Sequence, residues 1–165
     1  ELRKEAEEAS ARGPLDRKWL ARLPLAEAVK MEVSRRYPSI FAFVRQATEP
    51  FVYAGRQIEA GDQLLVAIGA QSLMKEYFDE PEKFDPSRFL GEDAVQPESG
   101  ALNPYGAGAH TCLGAALADA QLIGTLPLLL RYADIELVDP DRPLQPRYLP
   151  YPLPKGDKLR IHLRR

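Results

Sequence analysis

Cysteine and histidine are scarce in this 165-residue sequence, which contains one cysteine, Cys112, and two histidines. A lone cysteine excludes a disulfide within the chain and suits a reducing compartment. One cysteine and two histidines are also too few side chains for the usual four-ligand structural zinc site. We therefore expect a cytoplasmic protein that has neither an internal disulfide nor structural zinc.

A strong net charge and a long apolar run are absent as well. The formal net charge of −2 gives no reason to expect nucleic acid or an anionic membrane as a partner. No run approaches the ~20 apolar residues that a membrane span needs. The hydrophobic content of 45% is enough for one domain with a core. Because the chain begins with Glu1 in a helical pattern, we expect a piece of a longer protein, and a membrane anchor ahead of Glu1 stays open.

The most informative stretch runs from Tyr105 to Gly114 and reads Y-G-A-G-A-H-T-C-L-G. Glycines crowded around one side chain indicate a close approach of the backbone or a positive φ. Residues 115–122 are good helix formers, so Cys112 is predicted to lie just ahead of a helix N-terminus. Free N–H groups and the helix macrodipole stabilise a thiolate there. A thiolate held in this way is a metal ligand or a nucleophile.

Two other interpretations of Cys112 stay open on the loop alone. The cysteine could be buried and inert, as many free cysteines are. It could also be the nucleophile of a cysteine hydrolase with His110 as its base. That role requires the imidazole to reach the sulfur and an acid or amide to orient the imidazole. No nucleophile signature surrounds these two residues.

Two further motifs lie earlier in the chain. Glu32-Val33-Ser34-Arg35 falls in a helix predicted from Leu25 to Tyr37, and residues three apart lie on the same side of a helix. Taken alone, this is a surface ion pair worth under ~1 kcal/mol. About fifty residues on, the proline-punctuated segment P-E-K-F-D-P-S-R-F occupies residues 81–89.

These three motifs, in this order, resemble those of the cytochrome P450 family. The loop around Cys112 resembles the family's haem-ligand loop, with Tyr105 where the family usually has Phe. The resemblance implies a mainly α fold with small antiparallel β-sheets (α+β), the C-terminal part of the cytochrome P450 fold. It implies that residues 1–165 are the C-terminal portion of a single domain whose N-terminal half is absent.

The resemblance also assigns roles to residues. Cys112 is implied as the proximal ligand of the haem iron, while His110 and Arg45 are implied to meet the haem propionates. Glu32, Arg35 and Arg88 are implied to form a buried ion network, and breaking it at Arg88 is expected to cost roughly 3–5 kcal/mol. No residue is assigned as catalytic. The full implied cofactor-binding set is Cys112, His110, Arg45, Tyr105, Gly106, Gly108 and Gly114.

The implied activity is that of a haem-thiolate monooxygenase with haem b (iron protoporphyrin IX). Such an enzyme inserts one oxygen atom of O2 into a small organic substrate and receives electrons from a ferredoxin or a reductase. The distal helix and most substrate contacts would belong to the missing N-terminal half of the domain. A haem-binding fragment with no turnover is therefore the alternative function.

The remaining pattern predicts helices separated by short strands. Pro127 should kink the last helix, and residues 72–75 lack the tetrad that many family members carry there. The tip of a proline-rich loop near Tyr148 is implied to face the substrate. Helices are predicted over residues 1–11, 16–23, 25–37 and 115 to about 131, and strands over residues 40–47, 51–53, 56–59, 63–68, 135–138 and 158–163.

Overall fold

The computed structural model describes residues 1–92, 94–95, 100–141, 146–147, 153–154 and 159–164. The α-helices in this part of the chain are α1 (Leu2–Ala11), α2 (Arg17–Leu20), α3 (Pro24–Arg36) and α4 (Ala115–Tyr132). The strands are β1 (Phe43–Gln46), β2 (Phe51–Tyr53), β3 (Arg56–Ile58), β4 (Gln63–Val66), β5 (Ala133–Leu137), β6 (Pro146–Arg147), β7 (Leu153–Pro154) and β8 (Leu159–Leu163). The predicted fold class, helices with small antiparallel sheets, is confirmed. The predicted loop tip at Tyr148 lies outside the described residues.

Local capping explains where the first helices begin and end. The Asp16 carboxylate accepts a hydrogen bond from the Trp19 N–H at 2.9 Å and caps α2. Pro24 occupies the first turn of α3, where its missing N–H costs nothing. The helix predicted over residues 16–23 ends already at Leu20, because the N–H groups of Arg22 and Leu23 bond three residues back in a tighter turn.

The strands form two-stranded antiparallel sheets in which pairing does not simply follow chain order. β2 pairs with β3 across the Ala54-Gly55 turn, where both residues have positive φ, as the tightest hairpin turns require. β1 pairs with β4, from Phe43 opposite Val66 to Gln46 opposite Gln63. The β2–β3 hairpin is therefore nested between two strands that pair with each other. Further along, β5 pairs with β8 and β6 pairs with β7.

One part of the core joins α4 to the N-terminal helices. Ala9, Trp19, Leu23 and Ala26 form a buried cluster against which apolar side chains of α4 pack. Gly124 explains how α4 approaches α2 so closely, since a Cβ there would lie 3.2 Å from a methyl carbon of the Leu20 side chain. α4 also continues through the buried Pro127 to Tyr132.

Arg3 of α1 secures the carboxyl end of α4. Its Nε donates to the Leu130 carbonyl at 2.6 Å, and its Nη2 donates to the Ala133 carbonyl at 3.2 Å and to the Asp134 carboxylate. A guanidinium at this position satisfies carbonyls that the helix cannot bond and complements the negative end of its macrodipole.

A second part of the core lies behind residues 67–90, which follow β4 and contain neither an α-helix nor a strand; we call them the irregular segment. Phe78, Ala101 and Leu102 are buried, and the Phe78 and Phe89 rings meet edge to face with centroids 6.4 Å apart. Residues 72–75 are the part of this segment that lacks the family's tetrad. There the Ser72 hydroxyl lies 2.9 Å and 2.7 Å from the carbonyl oxygens of Arg35 and Gly69. A buried serine thus ties this segment to the end of α3.

Apolar side chains remain exposed along α4 and on the β1–β4 pair. Leu117 is 65% exposed on α4, and Leu65 is 72% exposed on β4. Leu122, Leu126 and Leu129 are exposed to lesser degrees. None of the helices in the described ranges combines the length and apolarity needed to cross a lipid bilayer.

Candidate functional site

The Cys112 loop, defined as residues 105–114, closes on itself through backbone hydrogen bonds. Gly106 and Gly108 have φ values of 71° and 69°, a region that favours glycine. A short 3-10 turn follows over Gly108–His110, and the Thr111 N–H and hydroxyl both donate to the Gly108 carbonyl, at 3.1 Å and 2.8 Å. The Cys112 N–H then donates to the Tyr105 carbonyl at 2.9 Å. The glycines therefore allow a compact loop that ends at the cysteine.

Cys112 is exposed and lies just ahead of α4. The Ala115 N–H donates to the Cys112 carbonyl at 3.3 Å, and Gly114 is the N-cap residue of the helix without a side-chain cap. A Cβ on Gly114 would lie 3.8 Å from the Cys112 sulfur, and Leu113 between them is fully exposed. The thiol is thus accessible and close to the positive end of an 18-residue helix.

His110 and Arg45, the two predicted propionate contacts, are both exposed. Arg45 lies on β1, where Nη1 donates to the Val44 carbonyl at 3.2 Å and the guanidinium carbon is 4.2 Å from the Phe43 ring centroid. Within the described part of the chain, no hydrogen bond joins His110 to Cys112 or to an orienting acid. The arrangement that a cysteine hydrolase needs is therefore not formed there. The propionate roles stay predictions.

The structure brings Glu32, Arg35 and Arg88 together. Arg35 donates to Glu32 through Nε at 2.8 Å and Nη2 at 2.9 Å, and both side chains are completely buried. The Arg88 Nε lies 3.5 Å from Glu32 Oε1, and that oxygen also accepts the Asp85 N–H at 2.7 Å. A fully desolvated carboxylate is thus held by one bidentate guanidinium and a second, looser one.

Arg35 and Arg88 differ in how many backbone carbonyls of the irregular segment they bind. The remaining donors of Arg35 bind the carbonyls of Ser72 and Pro81 at 2.7 Å each and that of Lys83 at 3.0 Å. Arg88 reaches the Glu80 carbonyl with Nη2 at 3.0 Å, whereas its buried Nε has no hydrogen-bond partner among the described residues. Arg35 is therefore the main organiser of this segment.

A second ion cluster, which the sequence did not predict, lies beside the Cys112 loop. The Lys30 ammonium is 2.5 Å from Asp119 Oδ1, and the Tyr105 hydroxyl donates to the same oxygen at 2.5 Å. Only 7% of the Lys30 side chain is exposed, and its Nζ lies 5.2 Å from the Tyr105 ring centroid. Burial raises the pKa of Tyr105, and the Asp119 carboxylate raises it further, so the phenol stays protonated and donates.

The sequence did contain a signal for this cluster. Lys30 lies between the apolar residues Val29 and Met31 of α3, and Asp119 is a lone charge near the start of an apolar helix. Buried charges of this kind are usually paired. What the sequence could not indicate is which of the two residues would meet which partner.

An apolar cavity of about 330 Å³ lies between α3 and α4 and reaches this cluster. Its walls include Val29 and Tyr37 from the α3 side and Leu122 and Leu126 from α4, with Lys30 and Tyr105 contributing polar groups. Two of the exposed apolar residues of α4, Leu122 and Leu126, thus line part of a concave surface.

Comparison with known proteins places the chain in a family. The family model described as Cytochrome P450 matches residues 1–155. Thromboxane-A synthase of Rattus norvegicus is 39% identical over 95 residues, which are 58% of this chain and 18% of that protein. Cyclooctat-9-en-7-ol 5-monooxygenase of Streptomyces melanosporofaciens is 38% identical over 99 residues, 60% of this chain and 22% of that protein. The chain belongs to the cytochrome P450 family, and a haem cofactor follows from that membership.

A solved structure gives the same result for the fold. The structure of retinoic acid-bound cyanobacterial CYP120A1 superposes with a TM-score of 0.80 at 24% identity. The match covers 98% of this chain and 38% of that chain. The chain therefore has the fold of part of a cytochrome P450, and it spans about a fifth of the length of the curated relatives described above.

Proposed function

We propose that residues 1–165 form the C-terminal portion of a haem-thiolate monooxygenase in which Cys112 is the proximal ligand of haem b. The observation that carries this proposal is the Cys112 loop. The sole cysteine of a cytochrome P450 chain is exposed just ahead of a long helix, and its backbone is held by a hydrogen bond to Tyr105.

The residues around Cys112 fit a haem. A cysteine thiolate is an established axial ligand of haem iron, and the start of α4 favours the charged form of the sulfur. The exposed Leu113 and Leu117 offer apolar contact for a tetrapyrrole. Unpaired propionates would be costly to bury, and the exposed Arg45 and His110 can pair with them. Arg45 contributes more, because a guanidinium can bind a carboxylate with two parallel hydrogen bonds.

The roles of this chain are ligation and support. When bound, a thiolate-ligated haem supplies O2 activation, with one oxygen atom entering a small organic substrate and two electrons arriving from a ferredoxin or reductase. Cys112 would hold the iron, and the Glu32–Arg35–Arg88 network fixes the irregular segment that follows β4.

The test of the ligand is spectroscopic. The purified chain is mixed with haemin, reduced and exposed to carbon monoxide, and a strongly red-shifted Soret band is expected. Cys112→Ser should abolish that band, because a hydroxyl does not replace the thiolate. Thr111→Ser is the control, since it keeps the hydroxyl that bonds Gly108 and should keep the band. A red-shifted band that survives in Cys112→Ser contradicts the assignment.

A second candidate function, haem binding without turnover, is favoured for residues 1–165 in isolation. The chain spans 18–22% of the two curated relatives, and Leu65 and Leu117 expose apolar surface that the rest of a domain could cover. Oxygen consumption with a reductase and substrate panel distinguishes the two functions. A haem-loaded chain that consumes oxygen and forms an oxygenated product rules out the binding-only function.

A further inference from the structure

We propose that Lys30, Asp119 and Tyr105 are positioning residues that hold the Cys112 loop against α4, a role in haem ligation that rests on the proposed function of Cys112. The three residues come from α3, α4 and the start of the loop, and they converge on one carboxylate oxygen, Asp119 Oδ1. Their arrangement links the cysteine to the two helices that flank the apolar cavity.

The first step of the argument connects the cluster to the cysteine. The Tyr105 hydroxyl is bonded to Asp119, while the carbonyl of the same residue accepts the Cys112 N–H. Tyr105 is therefore held in two places: its side chain is bonded to α4, and its backbone carbonyl is bonded to Cys112. Releasing the phenol from α4 frees the backbone carbonyl that positions Cys112.

The second step concerns the charges. Lys30 is almost completely buried, whereas the Asp119 side chain is 37% exposed. Apart from Asp119, the contacts of Lys30 Nζ in the described structure are the Met31 sulfur at 3.6 Å and the Tyr105 ring. A buried ammonium needs its carboxylate, so Lys30 holds Asp119 in place for Tyr105. The ammonium near the ring face also restrains Tyr105 from a second direction.

The first experiment measures hydrogen exchange at the Cys112 amide in the purified chain. Tyr105→Phe and Lys30→Met should each speed this exchange about tenfold, as expected when a charge-assisted hydrogen bond is lost. Amides in the core around Trp19 should be accelerated far less than the Cys112 amide, because the opening is local. The exposed pair Tyr132→Phe and Lys4→Met provides matched controls that should leave the Cys112 amide unaffected.

Two further variants keep the test decisive if a single charge change impairs folding. Lys30→Arg retains the cation and should restore slow exchange. The double variant Lys30→Met, Asp119→Leu removes both charges without stranding either, and it should still speed exchange at the Cys112 amide. Equal exchange in Tyr105→Phe and Tyr132→Phe, or a uniform acceleration across the whole chain, overturns the positioning role.

The second experiment uses the haem-loaded protein and separates this inference from the proposed function. Tyr105→Phe should shorten the lifetime of the red-shifted carbon monoxide band about tenfold, whereas the control Tyr132→Phe should leave that lifetime unchanged. If the parent shows the band and Tyr105→Phe leaves both its lifetime and the Cys112 exchange unaltered, the positioning role fails and the ligand assignment stands. If Cys112→Ser keeps the band while Tyr105→Phe still speeds exchange, the ligand assignment fails and the hold on the loop stands.

Discussion

Replacing Arg35 by Met is the most direct test of how the buried ion network stabilises this chain. Arg35 donates five hydrogen bonds, two to Glu32 and three to the carbonyls of Ser72, Pro81 and Lys83. The substitution leaves a completely buried carboxylate with only the looser Arg88 at 3.5 Å and the Asp85 N–H. Breaking a buried pair in this way costs about 3–5 kcal/mol.

The loss expected for Arg35→Met is large relative to the total stability of a typical domain and larger than the loss expected for Arg88→Ala. Total stabilities of about 5–15 kcal/mol are typical, so Arg35→Met should remove a large share of the free energy of unfolding. Arg88→Ala should cost less than the 3–5 kcal/mol that the sequence suggested, about 1–3 kcal/mol, because Glu32 keeps its bidentate partner. The order of the two losses follows directly from the contacts.

Denaturant unfolding followed by circular dichroism measures these losses. Arg36→Met is the matched control on the next residue, since Arg36 pairs with Glu82, which is 78% exposed, and should cost under about 1 kcal/mol. The double variant Glu32→Met, Arg35→Met should recover part of the loss, because it removes the stranded charge. Similar losses for Arg35→Met and Arg36→Met would refute the reasoning.

Three other outcomes are expected. Arg45→Leu should weaken haem retention more than His110→Leu does, measured by haem transfer to an acceptor protein, and the reverse order contradicts the propionate assignment. Because the pKa of Tyr105 is raised in the folded state, the contribution of its phenol to stability is complete below the ordinary pKa of 10.0 and is lost as pH rises through the higher folded-state value. Tyr105→Phe should therefore flatten the alkaline fall of the thermal midpoint. An unchanged slope counts against the burial of the phenol. Gly69→Ala should destabilise by about 1–3 kcal/mol, because its Cβ would lie 2.6 Å from the Phe41 ring, and an unaltered thermal midpoint contradicts this.

Local signals in the sequence were sufficient to place the four helices, although α2 ends three residues earlier than predicted. Pro24 and Gly114 mark the starts of α3 and α4, and the structure places both boundaries within one residue of the prediction. The pairing of the strands was harder to predict from the sequence. The Ala54-Gly55 turn identifies the β2–β3 hairpin, but the partners β1 and β4 are separated by that hairpin and carry no turn signal of their own.

In the candidate site too, local features could be predicted from the sequence, whereas contacts between distant segments could not. The Cys112 loop is continuous in sequence, so its glycines and the following helix could be predicted from local patterns. The approach of Arg88 to Glu32 was proposed only through resemblance to a family, because spacing alone does not reveal contacts between distant segments. The pairing of Lys30 with Asp119 was missed, since no local pattern relates a charge on α3 to one on α4.

The contacts of Arg35 have a consequence for how the chain opens. Segments without helix or strand usually open locally at a low free-energy cost. Here the carbonyls of Ser72, Pro81 and Lys83 accept hydrogen bonds from one buried guanidinium, that of Arg35 on the last turn of α3, so detaching this segment leaves buried donors without partners beside the ion pair with Glu32. We therefore expect the irregular segment to open together with the last turn of α3 and to resist proteolysis while that turn stays folded.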